Sequence, residues 1–158
     1  QRNLAELEEA GKRAAIVTQN IDGLHQAAGS RNVLELHGSI HRNNCQACGK
    51  FYDASYVKQA EGIPRCGCGG LIKPDVVLYE ESLDAGVISK SIKAICEADT
   101  LIIGGTSLVV YPAAGFIDYF RGSHLVVINK SATATEVGAD LTIAAHTGEV
   151  LGQIAVHR

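Results

Sequence analysis

The chain has 158 residues, 46% of them apolar and 20% charged, with 14 basic against 17 acidic side chains and a formal net charge of −3. That mild acidity, with the basic residues scattered, excludes a general nucleic-acid binder, which would carry a basic stripe and a high pI. No apolar run is long enough to span a bilayer, and the opening QRNLAELEEAGKR lacks the apolar segment of a signal peptide, so a soluble cytoplasmic protein without nucleic-acid or membrane partners is expected.

In chain order, Leu4 and Leu7, set against Glu8 and Glu9 and closed by Gly11, predict the end of an amphipathic helix. Short apolar runs follow at AAIV (14–17), VLEL (33–36), DVVLY (75–79), TLIIG (100–104), LVVIN (125–129) and LTIA (141–144). Their shortness and β-branched content predict strands rather than helices. Between Asp84 and Ala98, the residues Ile88, Ile92, Ile95 and Cys96 recur at helical spacing, which reads Cys96 as core packing. Pro112 opens a further helix and Gly122 closes it, so TLIIG, this helix and LVVIN form a βαβ unit. A closing helix is expected from Thr147 through Val156. Strands alternating with helices predict an α/β fold with a doubly wound, mostly parallel, Rossmann-like sheet.

Residues 41–72 break this rhythm. They are rich in Gly, Cys and Asn and carry no long period, which marks a small inserted module between a domain built from 1–40 and 73–158. The insert holds Cys45-x2-Cys48 and, seventeen residues on, Cys66-x-Cys68. Two close thiolate pairs suit the closed tetrahedral coordination of a structural zinc ion, so a zinc-ribbon module with one zinc per chain is expected. Four Cys ligands leave no open position for catalysis, and the metal would stabilise a segment too small to hold a core of its own. A thiol redox role for Cys66 and Cys68 is the weaker reading.

Ligands of doubly wound sheets bind beyond the carboxyl ends of the strands, and in this chain those ends are chemically loaded. AAIV runs straight into TQNIDGLH, which brings Gln19, Asn20, Asp22 and His25; VLEL is followed by His37; TLIIG by Gly105, Thr106 and Ser107; LVVIN ends in Asn129. The GGTS stretch lets backbone amides approach a phosphate while two hydroxyls donate, although no G-x-G-x-x-G occurs in the chain. His37, beside Gly38, has the side chain suited to general base work near neutrality.

The ordered series TQNIDGLH, LELHGS, the paired cysteines, KPDVVLYEE, GTSLVVYPA and INK resembles the sirtuins, NAD-dependent protein-lysine deacylases. The resemblance implies that Gln19, Asn20 and Asp22 line the nicotinamide and ribose pocket and that His37 is the general base. It further implies that Gly105, Thr106 and Ser107 form the phosphate-side loop, that Asn129 lies near the adenosine, and that Thr147 makes the last NAD contact. An acylated-lysine peptide or protein would lie extended between the segment ending VVLYEE and the segment LVVY, with Val76, Tyr79, Val109 and Val110 along it. In the implied reaction the acyl oxygen attacks the ribose as nicotinamide leaves, and the acyl group ends on ADP-ribose.

Two differences from the family pattern stand out. Many sirtuins carry an aromatic-Gly-Glu triplet where this chain has Tyr79-Glu80-Glu81. The family's Gly-Ala-Gly phosphate loop, arginine-containing lid and first strand belong before Gln1, so the sequence is expected to be a fragment of a longer catalytic domain. ADP-ribosyl transfer and a non-catalytic, zinc-stabilised binding module are the alternative functions.

Overall fold

The computed structural model describes residues 1–106, 113–130 and 138–156. Helix α1 (Arg2–Glu9) leads to β1 (Ile16–Thr18), which pairs in parallel with β2 (Val33–Glu35) across the short helix α2 (Leu24–Ala27). Strands β3 (Gly38–Cys45), β4 (Phe51–Asp53) and β5 (Ile72–Val76) form an antiparallel sheet in the order β4-β3-β5, with α3 (Ala54–Gln59) after β4. Helix α4 (Ala85–Glu97) then precedes β6 (Thr100–Gly104), α5 (Ala113–Phe116), β7 (His124–Ile128), β8 (Leu141–Ile143) and α6 (Thr147–Gly152). The last three strands are parallel in the order β6-β7-β8. No helix among the described residues is long and apolar enough to cross a membrane.

Local chemistry explains the helix starts. Asp84 caps α4 by accepting from the Val87 amide at 2.8 Å, and Asp53 caps α3 by accepting from the Tyr56 amide at 2.9 Å, each satisfying an amide that has no partner within the helix. The apolar stripe of α4 packs Ile95 against Leu36 and Phe116, with Val17, Ile88, Ile92 and Leu101 around them. This core lies under β1, β2 and β6. A separate cluster of Cys45, Tyr52, Cys66 and Ile72 forms the interior of the antiparallel part. Helix α1 is fastened at both sides: the Glu8 carboxylate accepts from the Arg31 and Asn32 amides and pairs with Arg13, while the Asn3 amide donates to Leu151 O and Ile154 O.

Three elements differ from the sequence expectation. The strand expected at 75–79 lies instead at Ile72–Val76, because its pairing is set by β3: Ile72 is opposite Cys45 and Val76 opposite Gly38. Beyond it the chain turns, with Glu81 accepting from the Leu78 amide at 2.9 Å. The helix after the 107–112 segment, whose expected start at Pro112 lies outside the described residues, narrows to a 3-10 turn at Ile117–Tyr119 and ends at Phe120 rather than at Gly122. Gly122 serves packing instead, since a β-carbon there would lie 2.4 Å from Ala98 O. The closing helix stops at Gly152, short of Val156.

The pivotal position is Gly38, which joins His37 to β3. Its φ is +74°, and a β-carbon would lie 1.9 Å from the carbonyl oxygen of Asp75 on β5. Both the conformation and the contact demand glycine. Gly38→Ala is expected to destabilise the full-length protein by at least about 3 kcal/mol, read as a lowered thermal midpoint.

Candidate functional site

The polar loops expected at the strand ends do converge. At the end of β1, the backbone N–H of Asn20 donates to the Thr18 hydroxyl at 3.0 Å, and the backbone N–H of Leu24 donates to Asp22 Oδ1 at 3.0 Å. Asp22 thereby shapes the entry into α2, together with Gly23 at φ +67°. Gln19 lies between two other strand ends. Its carbonyl oxygen is 3.1 Å from His37 Nδ1, and its side-chain Oε1 accepts from the Thr106 hydroxyl at 3.4 Å.

The contact to Gln19 O fixes the state of His37. A carbonyl only accepts, so Nδ1 carries the hydrogen in this contact and, in the neutral ring, Nε2 keeps the lone pair. The ring is thus oriented to take a proton at Nε2.

On the far side of Gln19, the Asn129 amide donates to Thr106 O at 3.1 Å, and the Thr147 hydroxyl donates to Ile128 O at 3.3 Å. Gly104 makes room for Thr147, because a β-carbon on it would lie 2.6 Å from Thr147 Cγ2. Gly105 takes φ +65°, and its amide bonds Ile128 O at 3.1 Å. Gly104, Gly105 and Thr106 therefore form a strand exit free of bulky side chains beside a hydroxyl, which suits the close approach of a nucleotide. In the sequence Gly104 reads both as the last residue of the apolar run TLIIG and as the first of the GGTS stretch, and its role in admitting Thr147 emerges only in the fold. Ser107, Val109 and Val110 lie outside the described residues.

Next to His37, the Val77 amide donates to His37 O at 3.1 Å, so the end of β5 runs alongside the histidine. Val76 is half-buried and Tyr79 fully exposed. Lys73 Nζ donates to Val76 O at 3.0 Å and pairs with Glu81 at 3.0 Å, which holds the turn after β5 in place. Within that turn Glu80 sits at φ +70°, among the described residues the one non-glycine with positive φ. Lys73 and Glu81 bound the KPDVVLYEE stretch, but nothing in the sequence pairs them with each other.

The four cysteines form the second centre. All four sulfurs lie within 4.8 Å of one another, with Cys45 and Cys68 at 3.5 Å and Cys48 and Cys66 at 3.6 Å. A tetrahedral zinc with bonds of about 2.3 Å implies sulfur separations of roughly 3.8 Å, so the cage has the right size for that ion. The sulfurs also behave as a set that needs a cation. The Cys68 amide, followed by the Tyr52 hydroxyl, lowers the Cys66 thiol to about 6. The Gly70 amide favours the Cys68 thiolate, yet the three neighbouring sulfurs push its thiol up to about 12. Thiolates this close ionise together only around a positive charge. Gly70 is required against the cage, since a β-carbon there would lie 2.6 Å from Cys45 Sγ.

The pattern of the Sir2 family matches residues 1–112. The chain belongs to the Sir2 family. It is 66% identical over 151 residues to an NAD-dependent protein deacetylase of Clostridium acetobutylicum, a match covering 94% of this chain and 62% of that protein. A deacetylase of the same name from Clostridium perfringens is 63% identical, covering 96% of this chain and 63% of the relative. The chain thus spans less than two thirds of the length of either relative. Among solved structures, a Sir2 protein with a p53 peptide and NAD+ superposes with a TM-score of 0.88 at 36% identity, over 96% of this chain and 66% of that one. A Sir2 complex with the inhibitor EX-527, 2'-O-acetyl-ADP-ribose and a deacetylated p53 peptide gives 0.88 at 37% identity, covering 96% and 67%. The Rossmann-like sirtuin fold follows from these likenesses, and the four-cysteine cage is consistent with its structural zinc.

Metal analysis, amide exchange and thermal midpoints test these local arguments. Metal analysis of the purified protein is expected to give one zinc per chain, and Cys66→Ser to lose it together with the amide-exchange protection of β3–β5, while β6–β8 stay protected. Relief of the left-handed backbone at Glu80, worth about 1–2 kcal/mol, exceeds the added freedom of an unfolded glycine. Glu80→Gly should therefore raise the thermal midpoint by a few degrees, whereas Glu80→Ala, still an L-residue with a β-carbon, should not.

Proposed function

We propose that this chain is the larger part of an NAD-dependent protein-lysine deacylase, a cytoplasmic enzyme whose substrates are acylated-lysine proteins or peptides. The observation that carries the proposal is the convergence on Gln19: His37 on one side, Thr106 and Asn129 on the other, with the end of β5 alongside His37. One strand-end loop thus joins a proton acceptor, a glycine-hydroxyl exit and a strand suited to main-chain pairing.

In this reading NAD supplies an activated sugar that receives the acyl group as nicotinamide departs. Gln19, Asn20 and Asp22 would hold the nicotinamide and its ribose, Gly105, Thr106 and Ser107 the phosphates, and Asn129 and Thr147 the adenosine side. Amide and carboxylate groups on a short loop can hydrogen-bond a carboxamide and fix hydroxyls in one geometry, which lowers the barrier by orientation. His37, held by Gln19 O with its Nε2 lone pair outward, would take a proton from a ribose hydroxyl. The peptide would lie extended against β5, along Val76 and Tyr79 on one side and Val109 and Val110 on the other.

The organisation that goes with this function is a nucleotide-binding domain of residues 1–40 and 73–158 with a zinc module at 41–72. Strands β3 and β5 run across both limits, which mechanically couples the module to the chemistry while keeping its metal outside it.

The test is steady-state deacylation by the full-length protein that contains this chain, with an acetyl-lysine peptide and NAD, read as nicotinamide release. His37→Ala is expected to lower kcat by roughly 10²- to 10⁴-fold, the range of a general base, with zinc content unchanged. Near-wild-type turnover by that variant would sink the assignment of His37; formation of an ADP-ribosylated protein without loss of the acyl group would favour ADP-ribosyl transfer.

A further inference from the structure

Residues 40–42 of β3 face no partner on β5. Ser39 is opposite Asp75 and Asn43 opposite Pro74, so β3 advances four residues while β5 advances one. A bulge of this kind re-aims the side chains it carries. Here each residue of the bulge is tied to a wall of the proposed site.

Two ties go to the loop after β1. The Ile40 amide donates to Ile21 O at 3.1 Å, and His41 Nε2 lies 2.8 Å from Asp22 O, an acceptor that places the hydrogen on Nε2. Gly23 admits the imidazole, because a β-carbon there would lie 2.8 Å from His41 Cδ2. The bulge is braced from within by the buried Asn43, whose amide donates to Ile40 O at 3.2 Å.

The other ties go through Arg42. Its Nη1 donates to Glu35 Oε2 and its Nε to Asp75 Oδ2, both at 2.8 Å. Glu35 stands two residues before His37 and also accepts from Gln26 of α2 at 2.8 Å; Asp75 immediately precedes Val76. The arm to Asp75, with side chains 45% and 51% exposed, contributes little to stability, whereas the Glu35 side chain on the other arm is only 9% exposed. What the fork adds is geometry: one planar group spans β2, which ends at Glu35 two residues before His37, and the strand that would bind peptide.

We propose that the bulge is a bracket setting the separation of the cofactor loop and the peptide strand, with His41 positioning the first and Arg42 the second. The inference rests on the deacylase reading and deepens it. It makes the two sides of the site separable by substitution, although neither residue touches a reacting atom.

The experiment uses the full-length protein, an acetyl-lysine peptide and NAD, with thermal midpoint and zinc content measured on the same samples. Arg42→Lys keeps the charge but loses the planar fork, and is expected to raise KM for the peptide roughly 3- to 10-fold with KM for NAD within about twofold. His41→Ala is expected to do the reverse. His41→Gln, whose amide can still donate to a carbonyl, should recover part of the NAD effect. A merely structural role would lower the thermal midpoint and move both KM values together; that outcome, or unmoved KM values in both variants, overturns the bracket while leaving the deacylase assignment standing. A wild-type protein that turns over no peptide with NAD removes the functional reading and the bracket with it.

Discussion

The contact on which the rest depends is the approach of the Gly38 backbone to the carbonyl of Asp75, closer than any β-carbon would allow. It joins two elements of different character. Upstream lies β2, part of the parallel layer, followed at once by Leu36, which packs on Ile95 of α4. Downstream lies β3, the central strand of the antiparallel sheet that carries the first cysteine pair. Because His37 directly precedes this crossing, its position is set by both parts at once. The Val77 amide on His37 O and the Gln19 carbonyl on the imidazole are consequences of the same approach.

Electrostatics then works at short range and with few charges. Arg42, Lys73 and Arg13 each pair with carboxylates at segment junctions rather than on open helix faces. The exposed pairs of Arg42 with Asp75 and Lys73 with Glu81 add little to the free energy of folding but choose among loop placements, whereas the Arg13–Glu8 pair is largely shielded from solvent. The thiolate cage is the opposite case. Four sulfurs within 4.8 Å repel one another when ionised, so holding them together as thiolates calls for a cation. Tyr52, buried with its hydroxyl 3.1 Å from Cys66 Sγ, completes the polar environment of that sulfur, and outer partners of this type are part of how a metal site is tuned.

Much of the candidate site was legible in the chain because its parts are continuous in sequence. Gln19 to Asp22, His37 with Gly38, and Gly105 with Thr106 each occupy a short stretch at the end of an apolar run, where the local pattern itself announces a strand end. The contacts of His41, Arg42, Lys73 and Glu81 were not legible. His41 and Arg42 reach from a bulge to other elements, and Lys73 and Glu81 meet around a turn; no period or spacing records such pairings. The shifted strand at Ile72–Val76 has the same cause: the run of apolar residues at 76–78 favours a later strand, but hydrogen bonding to β3 starts the ladder at the cysteine end.

By itself the amino-acid sequence determined the alternation of strands and helices, the four metal-ligating cysteines and the polar strand ends, all properties carried by neighbouring residues and their spacing. Tertiary structure decided where those pieces meet: that Gln19 stands between His37 and Thr106, that Gly104 yields its volume to Thr147, and that a three-residue bulge reaches the loop after β1 and both flanking strands. These depend on distances between segments remote in the chain. Such distances are set by packing and by the sum of many weak contacts, which no local pattern encodes.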